Sequence, residues 1–389
     1  MYPALFYVYF KKYLTNIEKF AAKPLKCITF LEVTLMIFAE YVKNRLLSLI
    51  QEMASLPWLF VKNPAADFSR RRKLDFASTI QFILSMENGG LKNELLDYFR
   101  FSVDTPSASA FNQQRSKLLP ETFPFLFHEL ILFPTPKNYN GYRLLACDGS
   151  DLNIPRNPKD TDTYFQSLPT DRGFNQIHLN ALYDLCEKRY TDVVIQPARK
   201  ENESLAMTQM IDRYRGQKET IFIADRGYET YNIFAHVQEK EMYYLIRVKD
   251  GGRGSMTGSF LLPDKDEFDH TMQLILTRKQ TNGVKSNPKQ YKILPKSSPF
   301  DYLDLHHKKF YTLNFRVVRF ALSENSYECI ITNLPIEEFS GRRDKEDLRD
   351  EMGDRNLFPG IEICDWFKLF SFKKGGVYHT GNICTSDPL

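Results

Sequence analysis

Two aspartates in this 389-residue chain each end a short apolar run. Asp148 follows Leu144, Leu145, Ala146 and Cys147; Asp225 follows Ile221, Phe222, Ile223 and Ala224. Such runs read as buried strands, and an ionised carboxylate at the end of one is costly unless a partner or a metal compensates it. Two carboxylates from neighbouring strands can share divalent cations, and hard oxygen ligands select Mg²⁺ or Mn²⁺ over zinc. Two metals ~4 Å apart stabilise both the attacking and the leaving oxygen in phosphodiester chemistry. The plainer alternative is that each aspartate caps the turn or helix after its strand. For either residue alone that alternative is the better one. Together, 77 residues apart with strands and a helix between them, they point to a catalytic sheet.

The elements that must position this pair follow from periodicity. Residues 1 to about 135 read as helical, with apolar positions at helical spacing over 30–50 and 74–99. Asn63-Pro64 breaks the pattern ahead of the basic run Arg70-Arg71-Arg72-Lys73. A further helix follows Thr105-Pro106, with Thr105 as N-cap and proline at the first helical position. It carries Phe111, Gln113, Gln114, Arg115 and Lys117. Two prolines and a glycine over 134–141 mark the boundary to a strand-rich part.

There, 143–148 is a strand feeding a turn at Asp-Gly-Ser, and 177–185 and 190–195 are two more strands. A helix over 202–216, a strand over 220–225, a helix over 231–240 and a strand over 243–249 complete a mixed α/β sheet. Residues 250–259, with four glycines, form a loop. Residues 260–334 are β-rich, most clearly at 310–322 and 327–332. No internal repeat is present.

Composition restricts the class. Hydrophobic residues make up 43% and charged residues 26%, which excludes disordered, collagen-like and disulfide-scaffold chains. Lysine and arginine number 52 against 48 acidic residues, a net charge of +4, so any nucleic-acid footprint must be local. The six cysteines, at 27, 147, 186, 329, 364 and 384, form no Cys-x-x-Cys pair and suit a reducing cytoplasm. The longest apolar run, 27–39, is interrupted by Glu32 and too short to span a bilayer, and the N-terminus does not read as a signal peptide. A cytoplasmic, nucleoid-associated protein with no membrane partner is the expectation.

Around the two aspartates the resemblance becomes specific. Cys147-Asp148-Gly149-Ser150, the stretch His178 to Asp184, Asn202-Glu203, Asp225-Arg226-Gly227-Tyr228 and the stretch Ile331 to Pro335 resemble bacterial insertion-sequence transposases of the insertion-sequence-four group. The likeness covers roughly residues 45–335. It implies a ribonuclease-H-like mixed-sheet core with an Asp-Asp-Glu triad, interrupted by a β-rich insertion and preceded by an α-helical DNA-binding region. The implied boundaries are an N-terminal helical extension to 44, a DNA-binding region over 45–135, the core over 136–250, the insertion and last core strand over 251–334, and a tail over 335–389. An early start codon would account for the first 44 residues.

The implied activity is DNA strand cleavage and strand transfer at the element ends. Asp148 and Asp225 would be catalytic and would bridge Mg²⁺ or Mn²⁺. Arg226 and Tyr228 would sit near the donor DNA backbone. Arg70, Arg71, Arg72, Lys73, Gln114, Arg115 and Lys117, with Gln113 beside them, would contact the terminal inverted repeats. Lys249, Arg253, Arg316 and Arg319 would add non-specific backbone contacts. Double-stranded DNA, terminal repeats and target alike, is the implied partner, held by a homodimer in a synaptic complex.

The third acid departs from the pattern. This group closes its core with a helix reading Tyr, two residues, Arg, three residues, Glu, six residues, Lys. None of Glu346, Glu351 or Glu362 has tyrosine, arginine and lysine at those offsets. Back-translation offers an explanation. Read one base into each codon from Glu346, Met352-Gly353 necessarily gives tryptophan. Leu348-Arg349 then permits tyrosine, Glu351-Met352 gives arginine or lysine, Arg355-Asn356 permits glutamate and Glu362-Ile363 gives lysine or arginine. A frameshift near 340–346 that replaced the catalytic helix would leave a chain with two ligands and little activity. Two other readings compete: a catalytically dead DNA-binding remnant that inhibits active copies, and a stand-alone ribonuclease-H-like nuclease with a different third carboxylate.

Overall fold

The computed structural model describes residues 30–336 apart from 71, 88, 132–137, 140, 252–254, 305–308 and 324–325. The chain divides into two compact units. One comprises the residues to Pro136 together with Tyr190–Ile195; the other comprises Lys137–Arg189 and the residues from Gln196 onward.

The first unit is helical: α1 Phe30–Ser55, α2 Phe76–Ser85, α3 Leu91–Tyr98, α4 Ala108–Arg115 and α5 Thr122–Leu130. Leu46, Leu49, Ile50 and Met53 recur every three or four residues, so α1 buries one stripe. They share a core with Ile80 and Phe82 of α2, Leu95 of α3, Phe111 of α4 and Leu126 of α5. Phe82 and Phe111 meet edge to face, ring centres 4.7 Å apart.

Two local expectations need correction. The helical spacing over 74–99 is divided between α2 and α3, because Gly89-Gly90 would each cost about 1 kcal/mol inside a helix. Instead Gly90 is the N-cap of α3, and the Gly89 N–H donates to Glu94. The N-cap of α4 is Ser107, whose hydroxyl accepts from the Ala110 N–H at 3.2 Å. Thr105 instead donates its hydroxyl to the Ser102 carbonyl.

The second unit is built on a mixed sheet. The strands of the sheet are β1 Arg143–Ile154, β2 Tyr164–Phe165, β3 Phe174–Asp184, β4 Arg189–Pro197, β5 Thr220–Ala224, β6 Tyr243–Val248, β7 Phe268–Thr277, β8 Tyr291–Ile293, β9 Phe310–Ser323 and β10 Ser326–Thr332; β4, most of which is grouped with the first unit, pairs with β3. The helices α6 Glu203–Arg213 and α7 Tyr231–Glu239 precede β5 and β6. The order across the sheet is β2-β3-β1-β5-β6-β10-β9-β7-β8. Strands β1, β5 and β6 are parallel neighbours; β3 joins β1, and β10 joins β6, antiparallel. All five residues of β5 are buried, which explains its unbroken apolar run. Phe234 of α7 stacks on Tyr244 of β6, ring centres 4.8 Å apart.

The sheet with α6 and α7 has the mixed α/β class expected of a ribonuclease-H-like core, and the first unit is the expected helical region. The strands of the β-rich segment extend the core sheet itself, with β10, β9, β7 and β8 continuing outward from β6. The expected turn after Asp148 is absent. β1 runs on to Ile154 because β3 pairs along it, from Asp148 opposite Ala181 to Ile154 opposite Asn175.

Candidate active site

Parallel pairing of β1 with β5 brings the two aspartates together. The last paired positions are Cys147 and Ala224, and Asp148 and Asp225 each stand one residue beyond them. Asp225 accepts a hydrogen bond from the Arg226 N–H at 2.7 Å and so caps the short turn Arg226–Tyr228. Asp148 accepts from the Gly149 N–H at 3.0 Å. Capping and catalysis are therefore compatible here, since each carboxylate keeps oxygens beyond the one that accepts the local N–H.

Next to Asp225 stands a chain of opposite charges. Arg247 of β6 lies 3.7 Å from the Asp225 carboxylate. Its Nε donates to Glu328 of β10 at 2.7 Å, and Arg226 donates to both oxygens of Glu328 at 3.0 and 3.1 Å. Glu328 is only 5% exposed, so two arginines neutralise one buried carboxylate. Its hydrogen bond holds the Arg247 guanidinium above its ordinary pKa despite burial.

On the other side of β1, His178 of β3 pairs opposite Asp151. Its Nδ1 is 2.8 Å from Asp151 and 3.2 Å from Glu201; its Nε2 is 3.4 Å from Glu203. Glu203 first, then Asp151 and Glu201, push its pKa up to about 9 against the opposing effect of burial. Asp151, His178 and Glu201 offer ligand atoms all within 4.8 Å of one another. Glu203 opens α6, where the Asn202 side chain caps the helix by accepting from the Leu205 N–H at 2.9 Å.

The donors fit a hard divalent cation: carboxylate oxygens where the pairing of two parallel strands ends, beside an imidazole ringed by acids. A metal held there would supply charge stabilisation at a phosphodiester.

Tyr228 needs correction as a DNA contact. It is 2% exposed and donates its hydroxyl to Asn180 at 3.0 Å, and burial pushes its pKa far up. Arg316 is likewise occupied, 5% exposed and bonded to Asp269 and the Leu334 carbonyl. Arg319 pairs with Asp250 at 3.0 Å and lies over the Tyr327 ring. Arg226 and Lys249 are exposed, although Arg226 is tied to Glu328. Sequence reasoning assigned no part to Arg247, Glu328, Asp151 or Glu201. His178 and Glu203 stood in the quoted motifs without a role; an acid at the start of a capped helix was the available signal.

In the helical unit, Arg70, Arg72, Gln114 and Lys117 line one cavity of about 250 Å³ with Phe68. Gln114 is 5% exposed, which corrects the expectation that it reaches a groove, whereas Gln113 and Arg115 face solvent. Lys117 lies over the Phe68 ring, and Lys73 pairs with Asp104 at 3.1 Å. Arg71, Arg253 and the tail with Glu346, Glu351 and Glu362 lie outside the described residues.

Among known proteins, residues 139–348 match the family described as "Transposase DDE domain". A solved structure, the cryo-EM piggyBac transposase synaptic complex with hairpin DNA, is similar at 12% identity and a TM-score of 0.37. The similarity covers 76% of this chain and 60% of that one. No curated protein matches. The family match takes in more than half of the chain, including both aspartates and the strands that carry them; the chain belongs to the DDE transposase domain family.

Proposed function

We propose that this protein is a DNA transposase of the insertion-sequence-four type, which cleaves and transfers DNA strands at the ends of its element with Mg²⁺ or Mn²⁺. The observation that carries the reading is the register of β1 and β5, which sets Asp148 and Asp225 each one residue past the last paired positions of the two strands. Asp148 and Asp225 would hold the metal, which lowers the pKa of a bound water and stabilises charge on the phosphate. Arg226, exposed and braced by Glu328, would present a guanidinium to the DNA backbone. Arg70, Arg72, Lys73, Arg115 and Lys117 would bind the terminal repeats from the helical unit, and a homodimer would bring two ends together.

The sequence carries no tyrosine, arginine, glutamate and lysine at the spacing of this group's closing helix, and a frameshift near 340–346 would account for that. On this reading the polypeptide binds DNA and cleaves it poorly. The nucleotide sequence of codons 335–389 tests it. A shifted frame encoding that helix, with Mg²⁺-dependent nicking of element-end DNA restored on repair, is the expected result. No such frame, or a repaired protein that nicks no end-bearing plasmid, overturns it. The remnant reading is favoured instead if the natural protein protects element ends from nuclease but never cuts them.

A further inference from the structure

The cavity of the helical unit holds more than a ring of charge. Its two walls are tied to each other: Val61 bridges Leu118, and the Lys62 N–H donates to the Lys117 carbonyl at 2.9 Å. Arg70 and Arg72 are exposed and Lys117 is half-buried, so three cations stand around one cavity. Lys73, next in the run, pairs with Asp104, whereas among the described residues no carboxylate neutralises the other three. Such a set of charges attracts an anion.

A second group asks for something an anion alone does not bring. Gln114 lines the same cavity from the last turn of α4; it is 5% exposed, and its Oε1 has no hydrogen-bond partner. A buried amide oxygen left unsatisfied costs free energy. A phosphodiester offers it lone pairs and no proton, so the ligand must also carry an N–H or O–H donor. Phe68 adds an aromatic wall. Its φ of +56° lies in the left-handed region, which phenylalanine rarely adopts and which carries a conformational cost. Asp67 closes the turn that holds it there: its N–H donates to the Asn63 carbonyl, and its carboxylate accepts from the Asn63 N–H. Cations, an unpaired acceptor and an aromatic face are the groups that recognise a phosphate, a base N–H and a base ring.

We propose that this cavity binds a nucleoside 5′-phosphate, with the phosphate among Arg70, Arg72 and Lys117, the base on Phe68 and a base N–H donating to Gln114 Oε1. Its volume of about 250 Å³ lies just below the usual range of ligand pockets, roughly 300–1,000 Å³, and suits one nucleotide rather than a duplex. The nucleotide is either free or the unpaired end of a DNA strand. In the second case the proposal deepens, and rests on, the reading of the helical unit as the DNA-binding region. Gln114, too buried to reach a groove, then meets a base that lies outside the double helix.

The test is calorimetry of the full-length protein with the four deoxynucleoside 5′-monophosphates and with inorganic phosphate. Fluorescence anisotropy then compares a blunt duplex with the same duplex carrying one unpaired, 5′-phosphorylated nucleotide. At least one monophosphate, or the tailed duplex over the blunt one, is expected to bind more tightly than its control by about tenfold. Gln114→Met should remove that excess while inorganic phosphate still binds, with the far-ultraviolet circular dichroism unchanged. Ala66→Trp, which fills the cavity from its exposed rim, should remove it too, and serves alone if Gln114→Met does not fold. A preference for the tailed duplex identifies a DNA end as the source of the nucleotide; monophosphates bound without that preference identify the free molecule. An excess that survives Gln114→Met or Ala66→Trp overturns the proposal, as does the absence of any excess. Blunt duplex that still binds then leaves the proposed function standing; if it does not bind, the DNA-binding reading falls as well.

Discussion

Glu328 and Arg247, on the neighbouring strands β10 and β6, are joined through both guanidinium nitrogens that face the carboxylate. The pair is buried on the carboxylate side, and the same arginine reaches back to Asp225. A structural ion pair is thereby coupled to a metal-binding candidate.

Removing the carboxylate strands two arginines around a buried hole. Glu328→Ala is expected to destabilise the protein by about 3 kcal/mol, the lower end for breaking a buried pair because Arg226 is partly solvated. Urea unfolding followed by far-ultraviolet circular dichroism measures it; a loss below about 0.5 kcal/mol would show that solvent replaces the pair.

The pH dependence of stability follows from His178, whose pKa is raised to about 9 in the folded protein from 6.5. The folded state binds the proton more tightly, so the stabilisation is complete below pH 6.5 and is lost as pH rises through about 9. Half-exposed partners screen the effect, leaving roughly 2 kcal/mol. In the presence of a chelator, urea midpoints should fall between pH 6.5 and 9.5 in the natural protein and less in His178→Gln. Parallel curves for the two proteins would refute this assignment.

Catalysis should depend on both Asp148 and Asp225. In a frame-repaired protein, Asp148→Asn or Asp225→Asn is expected to lower Mg²⁺-dependent nicking by at least about a thousandfold, and EDTA to abolish it. Binding to end-bearing DNA should persist in both variants. Residual nicking above one-tenth of the starting rate in either variant would remove that aspartate from the chemistry.

The cavity of the helical unit makes a separate prediction. Arg70→Ala and Lys117→Ala should each weaken DNA binding at low salt and reduce the slope of log affinity against log salt by about 1, whatever the sequence of the DNA. Fluorescence anisotropy at several salt concentrations reads this. An unchanged slope in both variants would mean that these charges do not meet phosphates.

The sheet was legible in the sequence wherever a strand was apolar throughout. β5, β6 and β10 announce themselves because strands in the middle of the sheet are covered on both faces and read as near-continuous apolar runs. Asp148 and Asp225 were legible for the same reason, as charges at the ends of apolar runs. The continuation of β1 past Asp148 was not, because Gly149, Ser150 and Asp151 favour a turn locally and the pairing with β3 overrides them. Nor was the cluster around Glu328 and His178. Those contacts join residues 81 and 25 positions apart, and nothing local distinguishes such an acid or histidine from a solvated one.

The position of β10 also has a temporal consequence. It pairs with β6, yet about 80 residues separate the two in the chain. At ribosomal speeds of ~5–20 residues per second, the far edge of β6 waits roughly 4–16 s for its partner to be synthesised. During that interval Leu245 and Ile246 lie beside an open strand edge, the kind of surface that recruits foreign strands or a chaperone. The nascent protein is therefore most vulnerable to aggregation while its β-rich segment is still being translated.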